Sequence, residues 1–289
     1  MSRRHTAVLL LASLAILPLL VSCSTGPPKP KYGSSEWYWD AAIERFEAGD
    51  LAKTQEDLEK VISSDSPFKA RASTFYVVLL TGMALGNKDL SQVYGDGSTA
   101  SKTQSGQFRS IGNDCVRLSR QFCMVLAQEL EQFNKDAGSA AEFQLDFPFP
   151  LGSPNEDPAI GRIRKGMLPP EEERLPAERM AVKRGVLLET AAVVGAGDDT
   201  AKTAAMFQTR PVKVPRPVFM YGIAEGLLEE SRIFDRKHTN EPEKRKIVLQ
   251  LAADCLKPAQ QGDDAELKKK AKTLEEKIVK EQKTLPKGV

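Results

Sequence analysis

Few side chains in this chain have types that support catalysis or metal binding. Its 289 residues include only two histidines, His5 and His238. His5 falls in an N-terminal segment that we expect to be removed, which leaves His238 alone in the mature chain. Multi-histidine metal sites are therefore excluded, and Ser-His or Cys-His catalysis would have to rest on His238. Because His238 follows Arg236-Lys237 in a charged connector, we interpret it as a solvated loop residue and predict no metal site.

Three cysteines, Cys115, Cys123 and Cys255, could pair or carry a reactive thiol. Cys115 and Cys123 fall on one predicted helix, where a separation of eight residues corresponds to about 12 Å, beyond the roughly 7 Å limit for a disulfide. At most one of them can therefore pair with Cys255. Buried thiols in an apolar helix face are the favoured interpretation, and a bridge from Cys115 or Cys123 to Cys255 is the alternative.

A glycine pair, Gly195 and Gly197, follows the apolar run 191–194, as at the start of a dinucleotide-binding fingerprint. The third glycine position holds Thr200, and no strand–helix–strand pattern surrounds it. A break between two helices is the better interpretation, and we predict no cofactor.

The segment Glu229-Glu230-Ser231 resembles the Glu-Ser catalytic motif of lytic transglycosylases. A catalytic Glu230 would need a sheltered site that holds its proton near neutral pH. The Gly-Leu-Met-Gln segment that this family places downstream is absent, and residues 238–242 read His-Thr-Asn-Glu-Pro instead. We therefore predict that the protein is not an enzyme and keep a peptidoglycan-active enzyme as the least favoured alternative.

The N-terminus has the layout of a bacterial export signal. Arg3 and Arg4 precede an apolar run over residues 7–21, which is too short to span a bilayer comfortably. Its end, Leu20-Val21-Ser22-Cys23, resembles the lipobox of bacterial lipoproteins. The resemblance implies that residues 1–22 are removed and that Cys23 is lipidated on its sulfur and acylated on its new amine. Ser24, where an aspartate would favour the inner membrane, implies by the same resemblance an outer-membrane anchor facing the periplasm.

The lipidated cysteine and a Pro/Gly/Ser-rich tether occupy residues 23–35. Where proline stiffens such a tether it extends by about 3.1 Å per residue, enough to hold a folded body about 30 Å from the lipid. Removing Arg3 and Arg4 from the 41 basic residues leaves 39, against 39 acidic residues. This zero net charge gives no argument for a nucleic-acid partner, and we expect none.

From Glu36 onward the pattern is helical, with breaks at turns, and it predicts an all-α fold. We divide it into an N-terminal helical region over 36–136, a proline-rich loop over 137–170 and a C-terminal helical region over 171–289. After the first helix pair at 36–64, helices are predicted at 67–85, 89–94, 107–134, 170–194, 199–208, 217–234, 241–256 and 263–285. A polar loop is predicted at 95–106.

The first helix pair resembles a tetratricopeptide repeat over about 30 residues. The positions that carry the resemblance are Tyr38, Ala41, Ala42 and Phe46 on the first helix, Gly49-Asp50-Leu51 at the turn, and Leu58 and Val61 on the second. Arg45 and Thr54 depart from the pattern, which prefers an aromatic residue and alanine there. The resemblance implies helix hairpins in a TPR-like α-solenoid or an irregular bundle.

Two aromatic groups are candidate contact sites for a ligand or partner. Trp37, Tyr38 and Trp39 stand together at the start of the first helix, where they could face a partner or the membrane interface. Phe147 and Phe149 lie in the proline-rich loop, where they could roof a ligand pocket.

Together these features favour a lipid-anchored periplasmic scaffold that works by protein–protein contact, as an assembly or transport accessory with one or more envelope protein partners. The alternative is a periplasmic component of a transport system that binds a small-molecule ligand. A pocket lined by Phe147 and Phe149 would support that alternative, and a loop packed flat on the core would count against it.

Overall fold

The computed structural model describes residues 30–149, 157–236 and 238–286, which form ten α-helices and a two-stranded sheet. The predicted all-α class is confirmed. Cys23 and Leu151 lie outside the described residues. In chain order the elements are α1 Ser35–Glu47, α2 Leu51–Ile62, α3 Lys69–Ala100, α4 Ser105–Ala137, β1 Glu142–Leu145, α5 Pro158–Arg164, α6 Glu171–Val193, α7 Thr200–Met206, β2 Val212–Pro215, α8 Arg216–Ser231, a 3-10 turn Arg232–Phe234, α9 Pro242–Gln261 and α10 Ala265–Gln282.

Helices α1 and α2 form the hairpin that the sequence predicted. Gly49 takes a positive φ of 78° between them, a conformation that glycine adopts without a steric penalty, and Asp50 caps α2 by accepting from the Lys53 backbone N–H. The two departures from the repeat pattern have polar partners. Arg45 pairs with Asp57 at 2.5 Å, and Thr54 donates to the Asp50 carbonyl at 2.9 Å.

Helix α3 is longer than the sequence pattern predicted. The expected stop at Gly86-Asn87 and the expected loop over 95–106 are wrong, because one helix runs from Lys69 to Ala100 and only 101–104 separates it from α4. Tertiary packing overrides the low helix propensity of glycine here. Gly86 lies against the backbone of Val182 on α6, and buried Asn87 donates to the Met83 carbonyl at 2.8 Å.

Glycines allow three helices to approach so closely that their backbones are in direct contact. A Cβ on Gly82 of α3 would lie 2.3 Å from the Cα of Val186 on α6, and one on Gly185 of α6 would lie 2.3 Å from the Gly82 carbonyl oxygen. Gly222 of α8 meets the α6 backbone at Val193 in the same way, at 2.6 Å. Since real Cβ atoms do not approach so closely, any side chain at these positions would push the helices apart.

The predicted loop over 137–170 contains two regular elements. β1 pairs antiparallel with β2, with Phe143 opposite Val214 and Leu145 opposite Val212. The pairing ends before Pro148, which could not donate to a ladder. Helix α5 packs Ile160 and Ile163 into a small apolar cluster with the C-terminal half of α3. The described parts of this segment, 137–149 and 157–170, therefore belong to the packed body.

One main apolar core joins the predicted N-terminal and C-terminal helical regions. It takes residues from α1 to α4, from both strands and from α6, α8, α9 and α10. The last helix closes this core as an amphipathic cap, with Ala271, Leu274 and Ile278 buried. Arg245 of α9 holds the cap in place by donating to Thr284 Oγ1 at 2.9 Å and to Glu281 at 2.5 Å. Within the described residues no helix combines the length and the apolar character needed to cross a bilayer.

Replacing Gly82 by alanine tests the close helix contact. We expect G82A to lower the free energy of unfolding by about 1–3 kcal/mol, because the new methyl group would overlap the α6 backbone. Gly95 provides a matched control on the same helix, since it is exposed and a Cβ there would meet nothing within 4 Å. G95A should raise stability by up to about 1 kcal/mol through helix propensity. Denaturant unfolding followed by circular dichroism measures both, and equal effects of the two substitutions would contradict the close contact.

Candidate functional site

The three aromatic residues at the start of α1 divide between the core and the surface. Trp39 is only 4% exposed and stacks on Phe68 with ring centroids 6.0 Å apart. The Arg71 guanidinium lies over the Trp39 and Phe68 rings, 5.4 and 4.8 Å from their centroids. Trp37 and Tyr38 are half-buried instead. Trp39 therefore serves the fold, and Trp37 and Tyr38 remain candidates for an external contact.

Phe147 is fully buried, in the main core. Its ring stacks on Phe75 at a centroid distance of 4.0 Å and also contacts Phe46 and Phe207, at 5.9 and 5.7 Å. Phe149 is half-buried and packs against Phe207 at 5.4 Å. These rings pack on the core, which is the outcome that counts against a ligand pocket roofed by Phe147 and Phe149.

The three cysteines are free, buried thiols. Burial raises the pKa of the Cys115 and Cys255 thiols to about 12 and raises that of Cys123 well above its usual value. Cys115 lies in the small cluster with α5, and Cys123 and Cys255 lie in the main core. No disulfide joins them, and thiols that stay protonated and inaccessible are poor nucleophiles.

Glu230, the candidate catalytic acid, lies inside the protein with 0% exposure. Neither of its carboxyl oxygens has a well-formed hydrogen bond among the described residues, although the Cys123 thiol lies beside it. A second acid, Glu189 of α6, is 2% exposed and also has an oxygen without a partner. Its carboxylate occupies the space left by Gly226 of α8, where a Cβ would lie 2.8 Å from Glu189 Oε2.

Loss of hydration on burial is the main cause of the raised pKa values of these two acids. It raises the pKa of Glu230 to about 8, against smaller opposing effects of the Cys123 hydrogen bond and the Lys88 charge. It also raises the pKa of Glu189 well above its usual range, and the charges of Glu230 and Glu225 add to the effect. At neutral pH Glu230 is therefore mostly protonated, and the shift of Glu189 favours its protonated form as well. A pKa near 8 would suit a general acid, but Glu230 has no opening through which a substrate could reach it.

His238 borders a polar cleft beside the 3-10 turn, with a volume of about 450 Å³. Its Nδ1 lies 2.7 Å from Asp235 Oδ1. Inside the cleft Glu229 Oε2 accepts from both Lys88 and Arg232, at 3.4 and 2.7 Å. Acidic and basic groups are thus mixed in this cleft, where Asp89, Glu229 and Asp235 lie beside Lys88, Arg232 and His238. Among the described residues no group of three His, Cys, Asp or Glu side chains could hold a metal ion.

Gly195 and Gly197 form the turn between α6 and α7, both with positive φ. This agrees with a break between two helices, because the apolar run before the glycines is helical and belongs to α6.

Sequence reasoning missed Glu189 and Tyr32. Glu189 interrupts an apolar stretch of α6 (Val-Leu-Leu-Glu-Thr-Ala-Ala-Val, 186–193), and a lone acid in such a run was the available signal. Tyr32 stands in the tether-like segment, where composition gave no sign that its ring contacts Trp37 at 4.5 Å.

Comparison with known proteins adds no relative: the chain matches no protein-family model, and neither a curated protein nor a solved structure matches it.

The buried acids predict a stability that falls as pH rises. Because the folded-state pKa of Glu230 is about 8 and that of an unfolded glutamate is about 4.3, the folded state binds more protons between these values. Glu230 should then cost up to about 1.4 kcal/mol of stability per pH unit across that range. Glu230→Gln, which mimics the protonated acid, should be more stable than wild type at pH 8 and similar to it at pH 5.

Urea unfolding from pH 5 to pH 8.5 measures this dependence. Glu131→Gln is the control, because Glu131 is exposed and pairs with Lys135 at 2.7 Å, and its slope over this range should match wild type. A wild-type stability that is flat over this range, with no gain from Glu230→Gln at pH 8, would refute the interpretation.

The thiols predict slow labelling of the native protein. Iodoacetamide at pH 8 should leave Cys115, Cys123 and Cys255 unmodified in the folded state, because all three are buried and protonated. The same reagent in guanidinium chloride without a reductant should modify all three. Peptide mass spectrometry distinguishes the cases, and a cysteine that labels in denaturant only after reduction would instead support the disulfide to Cys255.

Proposed function

We propose that this protein is a lipid-anchored helical scaffold of the bacterial envelope, which holds partner proteins near the periplasmic face of the outer membrane as an assembly or transport accessory. The observation that carries the proposal is the lipobox-like Leu20-Val21-Ser22-Cys23, followed by a Pro/Gly/Ser tether and then a long helical chain. An anchor followed by a tether suits a protein that meets its partners at the membrane, because it confines the body to the surface and raises the local concentration of the partners.

The packing of the body supports a scaffold over a carrier of small molecules. Phe147, which would line the pocket of a carrier, is fully buried against Phe46, Phe75 and Phe207. A second cleft of about 310 Å³, between α8 and α10, contains Glu225 and several lysines. Most of its lining side chains are charged and it is open to solvent, whereas pockets for small organic ligands are usually enclosed and lined mainly by apolar side chains.

The burial of Glu230 supports a non-catalytic role. A glycosidase acid must touch the glycosidic oxygen of its substrate, and a side chain with 0% exposure cannot do so without separation of α8 from its neighbours.

Lipidation of Cys23 is the part of the proposal to test first. We expect the chain, expressed in a Gram-negative host, to fractionate with membranes and to carry acyl groups on an N-terminal Cys23, because the lipobox-like segment directs modification there. Cys23→Ser should remove the acyl groups and abolish stable membrane association. Mass spectrometry of the N-terminal peptide and fractionation provide the measurements.

Ser24→Ala is the matched control, since it changes the neighbouring residue and keeps the lipobox cysteine. An unmodified Cys23 in the wild-type chain would overturn the anchor. Given an anchored protein, crosslinking from native membranes should recover the same envelope proteins with wild type and Ser24→Ala and lose them with Cys23→Ser. A small molecule that co-purifies stoichiometrically, with no crosslinked protein, would favour the carrier instead.

A further inference from the structure

Three aromatic side chains lie together where the chain enters the folded body: Tyr32 is exposed, Trp37 is half-buried, and Tyr38 is half-buried with contacts to the main core. We call Tyr32, Trp37 and Tyr38 the N-terminal aromatic cluster. Ring centroids lie 4.5 Å apart for Tyr32 and Trp37, and 5.1 Å apart for Trp37 and Tyr38. Tyr32 is 81% exposed, the highest value among the exposed large hydrophobic side chains of the described residues. The cluster is thus ordered by its own ring contacts while one of its rings is almost fully open to solvent.

Hydrogen bonds fix the cluster at the open end of the α1–α2 hairpin. Ser34 Oγ caps α1 by accepting from the Trp37 backbone N–H at 3.2 Å, and Ser35 Oγ donates to Ser64 Oγ just beyond the end of α2 at 2.9 Å. The opposite end of α1 is bound to the body, because Lys183 of α6 donates to the Glu47 carbonyl at 2.9 Å. A helix of 13 residues separates these ends by about 20 Å.

The sequence limits how far the cluster can lie from the proposed anchor. Eight residues lie between Cys23 and Tyr32, and the nine Cα–Cα steps from one to the other span at most about 32 Å when fully extended. Any compaction of the segment brings the cluster closer to the lipid. The span is an upper limit, so the cluster can meet the headgroup region whenever the tether is not fully extended, and a contact too weak to bind from solution becomes effective once it is intramolecular.

The side-chain chemistry of the cluster fits a lipid interface. Tyrosine and tryptophan combine an apolar ring with a polar group and concentrate at the headgroup level of membranes. The charged groups nearby have both signs, because Lys31 is exposed next to Tyr32 while Glu36 and Asp40 are exposed on α1. Ring insertion, rather than attraction to anionic lipid, is therefore the interaction that this surface can make.

We propose that the N-terminal aromatic cluster inserts into the headgroup region of the bilayer that holds the lipidated Cys23, and so orients the helical body on the membrane. This inference rests on the proposed function, since without the anchor the cluster would have no reason to meet the bilayer. The contact turns the open end of the α1–α2 hairpin toward the lipid and leaves the surfaces remote from it for protein partners.

The two tryptophans of the chain make the proposal measurable. Lipidated full-length protein is reconstituted into zwitterionic phosphatidylcholine vesicles whose acyl chains are brominated near the headgroups. Trp39→Phe leaves Trp37 as the only tryptophan. On binding to the vesicles its fluorescence emission should shift to shorter wavelength, and the bromine atoms should quench most of it. Trp37→Phe leaves the buried Trp39, whose emission should change little. If Trp39→Phe does not fold, the difference between wild type and Trp37→Phe reports the same quantity.

The outcomes separate this proposal from the lipid anchor. Protein that floats with the vesicles while Trp37 stays unquenched would overturn the membrane contact and leave the anchor intact. A protein without acyl groups on Cys23 would fail in flotation, and that result would instead overturn the proposed function. A third outcome would assign the cluster to a protein partner and so refute the membrane contact. In that case the lipid does not quench the fluorescence of Trp37, but an envelope protein crosslinked at position 32 protects it from a quencher in solution. Tyr32→Ser should weaken the quenching without releasing the protein from the vesicles.

Discussion

The backbone contact between α3 and α6 is the constraint on which the other helices depend. Gly82, Gly86 and Gly185 contribute no side chain of their own to this contact, so that the two helices approach more closely than any other residue type at these positions would permit. α8 then packs against the pair through Gly222 and Gly226. A close crossing gains dispersion contacts between the backbones themselves, and it fixes the relative position of three helices around which the hairpin α1–α2, the sheet and the helices α9 and α10 are arranged.

This close packing also explains the polar groups inside the core. Gly226 leaves room that the Glu189 carboxylate fills, and Glu230 lies one helical turn further along α8, beside Cys123 of α4. Buried acids without complete hydrogen bonding cost stability, most of all in the ionised form. Loss of hydration therefore favours the protonated form of both acids, and the carboxyl group of the Glu-Ser motif has no contact with solvent.

The surface features are consistent with the proposed scaffold, which would act by holding its partners near the membrane. The proposed anchor at Cys23 and the N-terminal aromatic cluster stand at one end of the chain, while the two described clefts are open and lined by side chains of both charges. The Phe147 segment adds to this interpretation, because it closes the core over Phe75. A body of this kind offers surfaces for partner domains, and the membrane contact would decide which of those surfaces remain accessible.

The sequence by itself determined the all-α class, the α1–α2 hairpin with its turn at Gly49, and the bounds of α6, α7 and α10 to within a few residues. These features follow from local signals, since apolar periodicity, capping residues and glycine turns act over one or two helical turns. The lipobox-like segment is likewise local, and it remains a prediction from sequence.

Only the tertiary structure decided the features that depend on distant residues. The sequence pattern predicted that the helix stops at Gly86, because glycine is a poor helix former. Gly86 lies within α3 instead, because the α6 backbone occupies the space where any other residue would place its side chain. Helix α5 and strand β1 were not predicted in the proline-rich segment, because contacts with distant residues stabilise them: α5 packs on α3, and β1 pairs with β2. Burial of Glu189, Glu230 and Phe147 was undetermined for the same reason: burial is a property of what the rest of the chain places around a residue.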